Sequence, residues 1–218
     1  MDQTTPPEEL RGANEPFLRL PWPVGALAAL MIAIEAALYF LPIVTANRIV
    51  IEYGLVPARY SNAASFLAAY GVNGGSLLDK ALPFVTYIFL HGGWAHVLIN
   101  SVWLLAFGPV VAKRFGAMRF FLFFLICGAA GGGLHLALNW QSLDPVVGAS
   151  AAISGLMAAA FRLIGDGRMG RRHEPMTPLL SRRIVLWSAI WVVINIVAGV
   201  TGVGTGPGLQ VVAWQAHL

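Results

Sequence analysis

The sequence predicts an all-α polytopic membrane protein, a bundle of six transmembrane helices. Of its 218 residues, 57% are hydrophobic and only 11% are charged, whereas soluble domains carry about 25% charged residues. Mean hydropathy is correspondingly high, at +0.71. Several apolar runs approach the ~20 residues that span a bilayer, and short polar breaks separate them. We therefore expect a helical bundle within the membrane rather than a soluble domain held by one anchor.

The N-terminal residues differ in composition from the rest of the chain. Residues 1–22 contain four acidic side chains, unlike the basic start of a cleavable signal peptide. We expect them to form a cytosolic tail. Residues 23–218 are then expected to form one membrane domain.

The apolar runs define the elements of that domain. The expected helices cover about 24–44, 95–112, 117–139, 147–164, 183–201 and 208–218. A long first loop, 45–93, mixes aromatic, apolar and polar residues, which suits a segment half-sunk in the outer leaflet. The last run has about half the length of a span, so a sixth helix truncated at the chain end is expected. Low activity is expected for this form.

The basic residues indicate the orientation. The break between the second and third helices holds three Lys or Arg, and the break between the fourth and fifth holds six, out of 14 in the chain. The positive-inside rule places both breaks and the N-terminus in the cytoplasm. We expect a multi-pass protein of a bacterial inner (plasma) membrane, with membrane lipids rather than nucleic acid around its basic residues.

Four polar side chains in the predicted helices should share one depth. Ser150 and His217 each lie roughly 10–13 Å below the outer surface, at ~1.5 Å per helical residue. His96 opens the second helix at its outer end, and Asn100 follows one turn further on the same face. A polar group in the bilayer costs several kcal/mol unless it is paired, so such a cluster points to a functional site.

The residue types in this cluster suit peptide-bond hydrolysis. A serine hydroxyl becomes nucleophilic when a neutral histidine accepts its proton. Asn100, His96 and the backbone N–H at Ser150 could donate hydrogen bonds to an oxyanion. Gly148 leaves room for a substrate backbone to approach. Because no membrane Asp lies in the outer half to orient His217, a dyad is expected rather than a triad.

Three motifs resemble those of the rhomboid intramembrane serine proteases. They are HGGWAHVLIN at 91–100, GASAAISG at 148–155 and WQAHL at 214–218, in that order. The resemblance implies a six-helix rhomboid-like bundle. It also implies a serine endopeptidase that cleaves transmembrane segments of other membrane proteins near the outer membrane face, without a cofactor.

The resemblance also implies a role for each residue. Ser150 would be the nucleophile and His217 the base. His96 and Asn100 would donate to the oxyanion, and His91 would be a structural polar residue beside the site. No metal ion is expected, since no HExxH pair occurs and the two histidines of the first motif are five residues apart, off one helical face.

Another class of function competes with the protease. A non-catalytic rhomboid-like protein could bind and escort membrane helices. Ala151 and Ser154 favour it, because rhomboids usually have Gly and often an aromatic residue at these positions. Retention of Ser150 and His217 favours the protease, since a binder needs neither a buried nucleophile nor a base.

The other polar residues in the apolar runs are expected to be structural. Glu35 should be buried and hydrogen-bonded, although an intramembrane carboxylate could also serve proton movement. His135 and Asn139 repeat the His-x-x-x-Asn spacing, but they lie at the outer end of the third helix, where an interfacial role is favoured. Cys127, the single cysteine, is expected to pack in the core.

Overall fold

The computed structural model describes residues 20–164 and 176–201, and the regular elements in these ranges are helical. The α-helices are α1 (Trp22–Tyr39), α2 (Ile43–Tyr53), α3 (Ala58–Ser61), α4 (Ala63–Tyr70), α5 (Leu77–Ala81), α6 (Pro83–Thr86), α7 (Trp94–Phe115), α8 (Ala117–Leu138), α9 (Ser150–Leu163) and α10 (Arg182–Thr201). A 3-10 helix, Tyr87–Phe89, precedes α7. The prediction of an all-helical chain is confirmed for the described residues.

Three of the described helices, α1, α7 and α8, are long and apolar enough to cross a bilayer. Their outer surfaces carry large exposed apolar side chains such as Ile99, Val102 and Ile126, which suits contact with lipid. The central helix α9 is also apolar but has only 14 residues. The predicted count of six spans is therefore not confirmed, and the sixth run, 208–218, lies outside the described residues.

The first helix ends earlier than the apolar run suggests. It ends at Tyr39, and α2 begins at Ile43 after Pro42. Proline disfavours helical geometry in the residue before it, so the chain turns at Leu41 although the composition stays apolar. The predicted loop 45–93 contains most of α2, all of α3 to α6 and the 3-10 helix, so it is largely helical.

Helix α9 occupies the centre of the bundle. It packs against α7 and α8, while α1 packs mainly against α7. Ala152, Leu156 and Ala160 of α9 are all 0% exposed. Helix α9 is short, and its side chains are mostly small or apolar. Such a helix can be buried against neighbours on every side, which accounts for its central position. Ser150 is the first residue of α9 and is half-buried.

The buried face of α8 follows every fourth residue. Five of the six buried residues of α8 have this spacing, Phe120, Phe124, Gly128, Gly132 and Leu136, and the sixth is His135. Positions four apart lie along one ridge of a helix, and here that ridge changes from aromatic side chains to glycine. An added methyl group at Gly132 would lie 3.1 Å from both Tyr87 and Leu55. The glycines thus let the segment between α1 and α7 approach the α8 backbone.

That segment is also joined to the chain that leads into α9. Leu55 N–H donates to the Val146 carbonyl at 3.0 Å, and Val146 N–H donates to the Leu55 carbonyl at 2.9 Å. Ala58 N–H donates to the Ser142 carbonyl at 2.9 Å. The 142–148 connection is therefore held by backbone hydrogen bonds from residues more than 80 positions earlier.

Two of the remaining polar predictions can be compared with the structure. Glu35 is buried, at 6% exposure, but its Oε2 has no hydrogen-bond partner among the described residues. The predicted burial is confirmed, while the predicted hydrogen bonding is not found at that oxygen. His135 is buried as well, and the Asn139 amide lies 3.3 Å from its Nδ1 and donates to its carbonyl at 3.0 Å.

Candidate active site

Ser150 is placed by a sharp turn at the start of the central helix. Gly148 has φ +121°, a backbone conformation that residues with a Cβ atom rarely adopt. Ala149 then takes helical geometry and Ser150 begins α9. The Ser154 hydroxyl donates to the Ser150 carbonyl at 3.0 Å within the first turn. The nucleophile predicted from the sequence therefore lies at a helix N-terminus, where the first backbone N–H groups have no intrahelical acceptor.

Gly148 brings two side chains of α7 to the same place. A Cβ built on Gly148 would lie 2.8 Å from His96 Nε2 and 3.6 Å from Asn100 Nδ2. Both nitrogens therefore reach one small region beside the Gly148 backbone, two residues before Ser150. Any side chain at position 148 would fill that region, so glycine is needed for space as well as for its φ angle.

The hydrogen bonding of His96 determines which ring nitrogen can donate. Gly92 N–H donates to His96 Nδ1 at 3.3 Å. An N–H donor requires a lone pair on Nδ1, so in the neutral ring the proton is on Nε2. That N–H is the one that faces Gly148. His96 is thus arranged as a donor toward the region beside Ser150.

Asn100 supplies a second donor in the same region. Its side chain is buried, at 4% exposure, and Nδ2 has no hydrogen-bond partner among the described residues. Leaving a buried donor unpaired costs about 1–3 kcal/mol. A donor held in this way can stabilise negative charge that develops during a reaction without first leaving another partner.

His91 packs against the ring of His96. The two ring centroids are 5.1 Å apart and the rings are inclined by 73°. His91 is 3% exposed, and its Nδ1 lies 3.3 Å from the Phe89 carbonyl. His91 is therefore in ring contact with His96, and the structural role predicted for His91 stays a prediction.

Tyr87 contributes to the site and was not identified from the sequence. Its carbonyl accepts the Gly148 N–H at 2.9 Å, and its hydroxyl donates to the Gly128 carbonyl at 2.6 Å. The Gly148 N–H is therefore occupied, and the two side-chain donors beside Gly148 come from α7. The signal in the sequence was the pair Gly128 and Gly132 on α8, because glycine leaves room for a bulky side chain to approach the helix.

The structure describes five of the six residues predicted for the site. His96, Asn100 and Gly148 converge directly, His91 supports His96, and Ser150 follows at the start of α9. His217, the predicted base, lies outside the described residues.

Comparison with known proteins shows which family this chain resembles, independently of the structure. Residues 79–218 match the family model described as the Rhomboid domain. This chain is 32% identical over 140 residues to YdcA of Bacillus subtilis (strain 168), covering 62% of this chain and 69% of YdcA. It is 35% identical over 95 residues to the rhomboid protease GluP of the same organism, covering 43% of this chain and 18% of GluP. It is also 35% identical over 113 residues to RHOMBOID-like protein 9, chloroplastic, of Arabidopsis thaliana, covering 50% of this chain and 24% of that protein.

Proposed function

This chain belongs to the rhomboid family, and from that premise we propose that it is an intramembrane serine endopeptidase. Its substrates are the transmembrane segments of other membrane proteins, and it cleaves them near the outer membrane face. Family membership and the apolar helices make the chain an integral membrane protein. We place it in a bacterial inner membrane, and the distribution of basic residues favours a cytoplasmic N-terminus.

The observation that carries the proposal is the convergence of His96 and Asn100 beside Gly148. Hydrolysis of a peptide passes through a tetrahedral intermediate whose oxygen carries negative charge. Two side-chain N–H donors aimed at one region next to a serine suit that charge. A protein that only binds helices would gain nothing from keeping the Asn100 amide buried without a partner.

The proposed reaction assigns a step to each residue. Ser150 Oγ attacks the scissile carbonyl while His217 accepts its proton, and His217 returns that proton to the leaving amine. The resulting acyl-enzyme is hydrolysed by water with His217 again acting as base. His96 Nε2–H and Asn100 Nδ2–H stabilise the oxyanion in both halves of the reaction, and no cofactor takes part.

Cleavage of a model transmembrane substrate in liposomes tests this proposal. Ser150→Ala and His217→Ala should each lower kcat by roughly 10³-fold or more, because the nucleophile and the base act as one unit. Ser188→Ala is the matched control, since it removes an exposed serine from α10 and should leave kcat within twofold of the wild type.

Undiminished cleavage by Ser150→Ala or His217→Ala would rule out the dyad. A wild-type protein that binds the substrate but does not cleave it would instead support the alternative, a rhomboid-like protein that escorts membrane helices.

A further inference from the structure

The segment between α1 and α7 contains a buried cation that the proposed reaction does not use. Arg59 is 3% exposed. Its guanidinium lies over the Phe66 ring, with Cζ 5.0 Å from the ring centroid. Burial lowers the pKa of Arg59 from its usual range, but an arginine keeps its charge in proteins. The structure must therefore compensate a full positive charge at this point.

Backbone carbonyls provide that compensation. Arg59 Nη1 donates to the Glu52 carbonyl at 2.9 Å and to the Asp79 carbonyl at 3.1 Å. Nη2 donates to the Ile51 carbonyl. These carbonyls belong to the last turns of α2 and α5, where the helix dipole favours a cation. The Glu52 carboxylate binds the exposed Arg48 at 2.8 Å.

These bonds close the chain from Ile51 to Arg59 into a loop. The loop contains Leu55, whose N–H and carbonyl both pair with Val146, and Ala58, whose N–H pairs with Ser142. The residues between Gly54 and Arg59 are buried. Arg59 therefore fixes the shape of the surface that receives the 142–148 connection.

The 142–148 connection leads directly to the reactive serine. Gly148 lies two residues after Val146, and its N–H is held by the Tyr87 carbonyl. Thr86, the residue before Tyr87, donates its hydroxyl to the Tyr53 carbonyl at 2.6 Å, inside the same closed loop. Two contacts thus hold the chain at Gly148, the pairing of Val146 with Leu55 and the bond to the Tyr87 carbonyl. Both depend on the loop that Arg59 closes.

We propose that Arg59 is a positioning residue for the reaction, one that sets Gly148 and Ser150 against His96 by closing the Ile51–Arg59 loop. This rests on the proposed function of Ser150. Arginine suits the role because one planar guanidinium offers five donors in a fixed geometry, so a single side chain binds three carbonyls. A lysine can reach fewer of them at once.

Hydrogen exchange and kinetics on the full chain in liposomes test the proposal. In Arg59→Met, amide exchange in the peptide that covers residues 142–149 should accelerate at least 10-fold, while α7 and α8 stay protected. The kcat for a transmembrane substrate should fall at least 10-fold with little change in KM, after correction for the folded fraction. Arg59→Lys should fold and show smaller changes in both measurements.

Arg48→Met is the matched control. It removes an exposed arginine of the same segment, 72% exposed and paired only with Glu52 in the described structure, and it should leave exchange and kcat within twofold of the wild type. Tyr60→Phe removes a different anchor of this segment, the bond to the Lys80 carbonyl. It should lower thermal stability without changing kcat.

Two results would overturn the proposal. Unchanged exchange at 142–149 in both Arg59 variants would show that Arg59 does not hold the connection. Accelerated exchange with wild-type kcat would show that the connection does not position the reaction. A wild-type chain with no cleavage at all would refute the proposed function separately, and the exchange result would still decide whether Arg59 holds the connection.

Discussion

At the scale of single residues, the site depends on Gly148. Its φ of +121° and its missing Cβ allow His96 Nε2 to come within 2.8 Å of where a side chain would begin. The Asn100 amide reaches the same region from one turn further along α7. The donors are held by buried packing before any charge develops, which is the arrangement that electrostatic catalysis requires.

Asn100→Ala should therefore lower kcat by roughly 10²–10³-fold, the usual cost of one oxyanion donor, with KM little changed. Steady-state cleavage of the transmembrane substrate measures both constants. Ser101→Ala is the control, because the neighbouring Ser101 is also buried but donates only to the Val97 carbonyl of its own helix, at 2.7 Å. Equal kcat values for Asn100→Ala and Ser101→Ala would exclude Asn100 from the oxyanion site.

Much of the candidate site was predictable from single residues. The two features that could not be predicted both depend on where backbone groups lie in the fold. The spacing of His96 and Asn100 places them on one helical face, and in the structure both nitrogens reach one region beside Gly148. The tautomer of His96 could not be predicted, because it depends on the backbone at Gly92. The part played by Tyr87 could not be predicted either, since its carbonyl meets Gly148 through tertiary packing.

At the scale of helices, the contact between α8 and α9 is set by small residues. A methyl group added at Gly155 of α9 would lie 2.6 Å from Cys127 Cβ on α8, closer than two carbon atoms can approach. Small residues let membrane helices pack closely, since lipid offers little hydrophobic drive for association. The packing of α9 on α8 therefore depends on glycine as well as on apolar volume.

Gly155→Ala should destabilise the protein by about 1–3 kcal/mol, the usual cost of overpacking a core. Thermal unfolding in detergent micelles measures the change. Gly133→Ala on α8 is the control, because a methyl group there would meet only Phe84 at an ordinary 4.0 Å. A Gly155→Ala variant as stable as Gly133→Ala would show that the contact relaxes freely.

The positions of the helices were predictable from the apolar runs, but the residues at which the helices end were less predictable. Helices α7, α8, α9 and α10 begin within three residues of the expected positions. The first run continues past Tyr39 in composition, but Pro42 ends the helix. The helices α3 to α6 have only four to eight residues, too few for a clear periodic signal, and the sequence predicted only an interfacial loop for the whole segment.

At the scale of the whole molecule, two parts meet at the site. The helices α1, α7, α8 and α9 form the bundle, and the Ile43–Phe89 segment packs on α8 and pairs with the 142–148 connection. Composition predicts that the chain lies in a membrane. The positions of the polar residues within the apolar runs predict their depth. It cannot predict the pairing of Leu55 with Val146, because that contact joins residues distant in sequence and depends on the packed fold.

The central claim is that Ser150 is an activated nucleophile within the membrane. The most direct test is the reaction of the full chain in liposomes with a serine-directed fluorophosphonate, followed by peptide mapping of the label. We predict one label, on Ser150, absent in Ser150→Ala. An unlabelled wild type, or a label that persists in Ser150→Ala, would contradict the claim.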